Sequence, residues 1–389
     1  MKWRMFICAI CFLIGGCSLN IPLEDQFSDP DAITDVLSAR SLLASAYKAM
    51  PQQIFQLSVL SDDFCPSQHL NKDMSLQGLY NWREVEMTEL AGTLWAGYYA
   101  VIAEVNALLA RIDAVVTLDE TEKLEKMRIV CEAKALKSWC YFDLLRLFAP
   151  RYEGNENKDG IILKKRVELD FLPRSSVKEC VTEIRTLLNE ARNVDNTQKN
   201  VYWLSDKAVA YLQVELELYA GNYPAVLELT KDLETEYPES VLGADVYKYL
   251  WSSENSDARI FGKYQLEQIY MDIRFDTFEK GDYLVLSQNV DYEEEDIRKE
   301  WSEIPFVMPD AKNVRLLGKY NKMNRDKVAS KYVNVARAAG MWLMRVEALA
   351  RSGKEGDAVA LANRMLKQRG ATEWSTNIAG NELISKILK

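Results

Sequence analysis

The chain has 389 residues, 48% hydrophobic and 27% charged, with a formal net charge of −10. That is enough apolar content for a large core, and an acidic chain without basic clusters is a poor nucleic-acid binder and does not cling to anionic lipid by charge, because phosphates call for Lys and Arg. A single histidine, His69, excludes most zinc sites and most Ser-His or Cys-His catalysis.

The first predicted element is an export signal. Lys2 and Arg4 form a basic head, Met5 to Ile14 an apolar run, and Gly15-Gly16-Cys17 a small-residue cut site. The apolar run is shorter than the roughly 20 residues of a membrane-spanning helix. Residues 1–16 are therefore expected to be removed, and the thiol of Cys17 to carry the lipid, including a palmitate-type acyl chain. Two or three acyl chains give lasting anchorage where one gives only marginal binding. Residues 17–31, with Pro22 and Pro30, read as a tether. Of the seven cysteines, Cys8 and Cys11 leave with the signal; Cys65, Cys131, Cys140 and Cys180 are too scattered for a disulfide scaffold and read as small buried residues.

Helical periodicity then dominates. Helices are predicted over Ala32–Met50 and Thr88–Ile112, and over Leu124–Phe148, stopped by Pro150. The last two, joined by a short polar link, should pack antiparallel. Further helices are predicted over Ser176–Arg192, Ser205–Ala220, Tyr223–Glu236, Val335–Arg351 and Glu355–Arg369. Two turns carry tetratricopeptide logic: Gly221 and Gly353 sit where a helix needs a left-handed cap, with Trp342 and Ala358 flanking the second. The helical period lapses over Ser61–Glu86 and Tyr247–Lys331. Both segments are aromatic-rich, and strand-like pieces lie at Ala258–Ile269 and Tyr283–Ser287. Such insertions are where a helical scaffold carries function. The expected class is mostly α: residues 32–389 form one tetratricopeptide-like, α-solenoid-like array of helix pairs, with an irregular aromatic lobe and a few short strands.

Five segments resemble the SusD/RagB family of outer-membrane nutrient-binding lipoproteins. They are the lipobox ending at Cys17; Leu60-Ser61-Asp62-Asp63; the helix from Trp95 through Tyr98, Tyr99 and Ile102 to Asn106; the helix from Glu132 through Tyr141-Phe142-Asp143-Leu144 to Phe148; and Leu343 to Ala350 with Asn363 and Arg369. Lys137 stands where the family usually has Arg, and Ala149 where it usually has Gly. The chain stops at Lys389, about where the family's next helix would begin, so it looks short at that end.

The resemblance implies a lipid-anchored protein at the cell outer membrane, exposed at the surface. Its implied role is to bind an oligosaccharide or peptide and deliver it to a SusC-like TonB-dependent transporter, with no reaction and no cofactor. A tetratricopeptide-type adaptor lipoprotein without a small ligand is the alternative, supported by the helix pairs alone. A two-carboxylate glycosidase finds no support, since no acids stand in a recognisable catalytic frame. Glycan capture needs flat apolar rings flanked by hydrogen-bonding side chains. Trp82, with Tyr80 and Asn81 beside it, is the first candidate; Trp251, Tyr283, Tyr292 and Trp301 are the second rank. Trp95, Tyr98, Tyr99, Trp139, Tyr141 and Trp342 lie at helical spacing and read as core. The run Glu293 to Asp296 reads as a solvated acidic face rather than a calcium loop.

Overall fold

A computed structural model describes residues 33–51, 53–61, 64–66, 74–168, 170–192, 201–252, 256–264, 284–286, 291–307, 311–319 and 332–388. Cys17, Asp62, Asp63, His69 and Tyr283 lie outside them. The fold is mostly helical, with a few short strands.

Helix α1 (Val36–Ala49) begins at Asp35, whose carboxylate accepts the Ser38 N–H at 2.8 Å while the Ser38 hydroxyl accepts the Asp35 N–H. This reciprocal box satisfies two donors that the first turn leaves without partners. Helix α2 (Ile54–Leu60), strand β1 (Phe64–Pro66) and helix α3 (Met74–Tyr80) follow. The segment from Ser61 to Glu86 is thus not loop throughout. Next come the long helices α4 (Glu84–Arg111) and α5 (Glu120–Phe148), which pack on each other and on α1. Tyr98, Trp139 and Tyr141 are buried in this core, and Trp95 and Tyr99 pack half-buried against it. Helix α6 (Val177–Ala191) packs on α5, α7 (Asp206–Tyr219) on α6, and α8 (Tyr223–Leu229) on α7. Cys131, Cys140 and Cys180 are buried.

The stretch expected as one helix, Tyr223–Glu236, is broken into α8 and a single turn α9 (Leu233–Glu236). The cause lies on a distant helix. Arg345 donates to the carbonyl oxygens of Leu227 and Thr230 at 3.0 Å each and to Thr230 Oγ1 at 2.9 Å. It thereby gives these last-turn carbonyls a partner outside the helix.

Helix α10 (Ala244–Ser252), strands β2 (Arg259–Tyr264) and β3 (Leu284–Leu286), helix α11 (Ile297–Ser302), and strands β4 (Glu303–Val307) and β5 (Asn313–Leu317) make up the lobe. β1, β3, β5 and β4 form one antiparallel sheet in that order. β2 pairs with β6 (Tyr332–Arg337), so Val335 to Arg337 is strand rather than the expected start of a helix. Helix α12 (Ala338–Arg351) follows directly and packs against α8 and α13 (Glu355–Arg369), and α14 (Gly380–Leu388) closes the described chain. The turn glycines Gly221 and Gly353 have φ of 68° and 75°, the left-handed caps that the helix-pair reading required.

The residues that carry the family resemblance in α4 and α5 form a buried polar clamp. Lys137 Nζ donates to Asn106 Oδ1 at 2.6 Å; Asn106 Nδ2 and Tyr141 OH both donate to the Lys164 carbonyl, at 2.9 and 2.6 Å. Tyr99 OH donates to the Ile162 carbonyl and accepts the Ile162 N–H, each at 2.9 Å. The clamp straps the extended segment 160–165 across both helices.

Burial lowers Lys137 to about 8, and likewise lowers Lys263, which donates to the Pro51 carbonyl, to about 8. Between these values and the usual lysine value the unfolded chain binds more protons than the folded one, so both lysines make stability rise with pH. Each contributes a slope of at most about 1.4 kcal/mol per pH unit. The rise should end near pH 10, where tyrosines such as Tyr98 and Tyr141, held protonated by burial, begin to ionise in the unfolded chain. Urea unfolding from pH 7.5 to 9.5 should show that the Lys137→Met variant loses about half of this slope. The slope is the readout, because Asn106 loses its donor and shifts the offset. An unchanged slope would mean that Lys137 is neutral in neither state.

Candidate ligand-binding surface

The corner between α3 and α4 is made by a helix end of unusual sequence. The Trp82 N–H donates to the Leu79 carbonyl at 3.0 Å and the Arg83 N–H to the Gly78 carbonyl at 2.9 Å. This pair of reverse bonds is the Schellman cap, whose left-handed residue is usually glycine. Here it is Trp82, with φ of 54°. A side chain in that region costs about 1–2 kcal/mol. The indole gains little burial in exchange, since Trp82 is 65% exposed. Tyr80 beside it is 38% exposed, and Val85, on the first turn of α4, is also exposed. The Asn81 side-chain amide donates to the Gln77 carbonyl at 2.8 Å, and Arg83 forms an ion pair with Glu86. That pair lies over Gly78, where a Cβ would meet the Glu86 carboxyl. Two rings and an aliphatic side chain are therefore presented to solvent with an amide and a charged pair alongside.

The second-rank candidates fall elsewhere. Trp251 corrects the sequence expectation: it is 4% exposed in α10, packed with Tyr247 at 5.7 Å between ring centres, and covered by Lys319 Nζ at 5.1 Å and the Arg337 guanidinium at 5.6 Å. Trp301 is half-buried under Lys248 Nζ at 5.4 Å, and Tyr292 is half-buried with Arg298 at 5.1 Å. Asp296 also departs from the solvated-face reading. It is buried, caps α11 by accepting the Arg298 N–H at 2.9 Å, and pairs with the Arg298 guanidinium. Among the described residues no group of three His, Cys, Asp or Glu is placed to hold a metal ion. The structure also brings out an exposed aromatic that sequence reasoning passed over. Phe171 is fully exposed, with Val167 and Leu172 exposed near it. Its only signal was its place just before Pro173 in a segment without period.

Comparison with known proteins gives one coherent result. Residues 23–214 match the family model SusD-like, described as starch-binding associating with outer membrane. No curated protein matches the chain. Among solved structures the chain is similar to a SusD-like carbohydrate binding protein from Bacteroides vulgatus, with a TM-score of 0.73 and 17% identity over 91% of this chain and 79% of that one. It is also similar to a SusD superfamily protein from Bacteroides thetaiotaomicron, with a TM-score of 0.72 and 17% identity over 91% and 85%. A SusD superfamily protein from Bacteroides fragilis gives 0.71 and 20% identity over 92% and 86%. At these identities the likeness speaks for the fold.

Proposed function

Since the chain is a SusD-like family protein, we propose that it captures an oligosaccharide at the outer-membrane surface, with Trp82 and Tyr80 as the stacking platform. It acts as a binding protein, without a reaction. Lipid on Cys17 holds it to the membrane, and it passes its ligand to a SusC-like TonB-dependent transporter.

The observation that carries the reading is Trp82 itself. An exposed indole held in a glycine conformation is costly twice over, in backbone strain and in bare apolar surface, and no packing among the described residues repays it. Sugar C–H faces need such a ring, and sugar hydroxyls need donors and acceptors at its rim, which Asn81 and Arg83 supply. The test is calorimetric titration of the mature chain with a panel of neutral oligosaccharides and short peptides. One saturable heat from an oligosaccharide is expected. A folded protein silent to every member, or heat from peptides alone, would remove the glycan reading. Mass spectrometry of the membrane-extracted protein should show Cys17 at the N-terminus carrying the mass of its acyl chains.

A further inference from the structure

Where α10, α11, β6 and α13 meet, the described residues hold more positive charge than they neutralise. Arg369 is the last residue of α13 and is 7% exposed. Its Nε has no hydrogen-bond partner among the described residues. Its surroundings add cations rather than remove them. Burial, and after it the charges of Arg298 and Arg337, lowers its pKa to about 10, against the opposing pull of Tyr247 and Asp296.

The nearby acid is already spent on another partner. Asp296 accepts from Arg298 Nε at 3.0 Å through both carboxylate oxygens and from Arg298 Nη2 at 2.5 Å. Among the described residues, three guanidinium groups face two carboxylates, Asp296 and, more distantly, Glu293, which also acts on Arg298, and one positive charge is left over. Glu293 is engaged with Thr372 at 2.7 Å, and Glu294 with Lys299, while Glu295 is exposed. Tyr247, which bonds Ser302 at 2.9 Å, is neutral, because burial raises its pKa. Arg337 also starts α12 with no side-chain cap and no acid in the first turn, so the helix N-terminus adds to the same field.

Burying an uncompensated cation is among the costlier things a fold can do, yet this one is held firmly. Gly370 follows Arg369 with φ of 68°, and a Cβ on it would lie 2.5 Å from the Glu295 carbonyl oxygen. The end of α13 is therefore turned hard against the 291–296 segment. Arg298 and Arg337 are only partly buried, which leaves the cluster open on their side.

We propose that Arg369, Arg337 and Arg298 form a binding site for one oxyanion, a carboxylate, sulfate or phosphate group. Arg369 lies at its floor, and Arg298 and Arg337 stand at its mouth. Planar forks suit such anions, which accept several charge-assisted bonds at once. The group can arrive as a free ion or as the acidic substituent of a sugar.

The test is calorimetric titration of the mature chain, at constant ionic strength, with inorganic sulfate, methyl β-glucuronide and methyl β-glucoside. One saturable site is expected for the first two and none for the neutral glucoside. Tighter binding of glucuronide would assign a sugar-borne acid, and tighter binding of sulfate a free or esterified oxyanion. The Arg369→Met variant should weaken anion binding at least about tenfold. Without anion it should melt higher than the parent, since it buries no unpaired charge. Arg337→Gln, at a half-exposed position, should also weaken binding, and it carries the test should Arg369→Met fail to fold. Absence of saturable anion binding to the parent, or equal binding by parent and the folded variants, would overturn the site. Neutral oligosaccharide binding is read separately, so its loss would leave this proposal standing, and the reverse.

Discussion

Replacing Trp82 by glycine is expected to weaken ligand binding about 30-fold or more while leaving the protein as stable as before, or slightly more so. The two effects have separate origins. In the cap between α3 and α4, Trp82 occupies the left-handed position at φ of 54°. Glycine takes that conformation without strain, so the cap gains about 1 kcal/mol, partly offset by the greater freedom of glycine in the unfolded chain. The indole is mostly exposed, so little packing is lost. At a binding surface, by contrast, a central aromatic anchor carries about 2 kcal/mol or more, which is roughly a 30-fold loss of affinity. Tyr80→Ala, at the edge of the platform, should cost less. Titration with the oligosaccharide that binds the parent, together with a thermal melt, reads both effects. A Trp82→Gly protein that binds like the parent would show that the platform lies elsewhere. One that melts several degrees lower would show that the indole is packing rather than bait.

The ring at position 82 was legible in the sequence, but its conformation was not. A tryptophan in an aromatic insertion is visible by eye, whereas a left-handed cap at a non-glycine residue carries no sequence mark. The helices were legible where one face is apolar and the other is not. Glu355–Arg369 is predicted to the residue, because Gly353 and Gly370 bracket a clear stripe. The reading failed where distant residues decide. Tyr223–Glu236 has helical period throughout, and Arg345, far along the chain, takes its carbonyls at Leu227 and Thr230. Val335 to Arg337 continues the period of α12 backwards, but β2 claims it by pairing Phe261 with Ala336 and Gly262 with Asn334. In the lobe, Tyr247, Leu250 and Trp251 do make a helix. Its apolar face is covered by a small separate cluster with Val246, Ile297 and Trp301, which periodicity within one segment could not reveal. The arginine cluster was invisible for the same reason, since its members come from α11, the end of β6 and the end of α13.

The largest loss of stability is expected at Trp342, in the first half of the last tetratricopeptide-like pair. Its side chain is among the largest that are fully buried, at 0% exposure, and its indole Nε1 donates to the Tyr237 carbonyl at 3.0 Å. The Arg364 guanidinium lies 5.4 Å from its ring centre, and Arg364 in turn bonds Glu234 and Glu239, on α9 and the turn after it. One side chain thus joins α12, α13 and the segment after α8. Truncation to alanine removes the ring and leaves a cavity, a change that costs about 3–5 kcal/mol in well-packed cores. The bared Tyr237 carbonyl adds about 1–3 kcal/mol if no water reaches it. Against a total stability of about 5–15 kcal/mol, Trp342→Ala should unfold at much lower urea and be recovered in reduced amount. Trp342→Phe separates the two contributions. It keeps most of the volume and loses the hydrogen bond, so a loss of about 1–3 kcal/mol is expected for it. Urea unfolding at constant slope compares the series. If phenylalanine proved as damaging as alanine, the hydrogen bond to Tyr237 rather than the filled volume would be what ties α12 to the helix pair before it. If alanine cost less than about 2 kcal/mol, the site would have collapsed around the missing ring, and the junction of α8, α12 and α13 would be looser than a close-packed core allows.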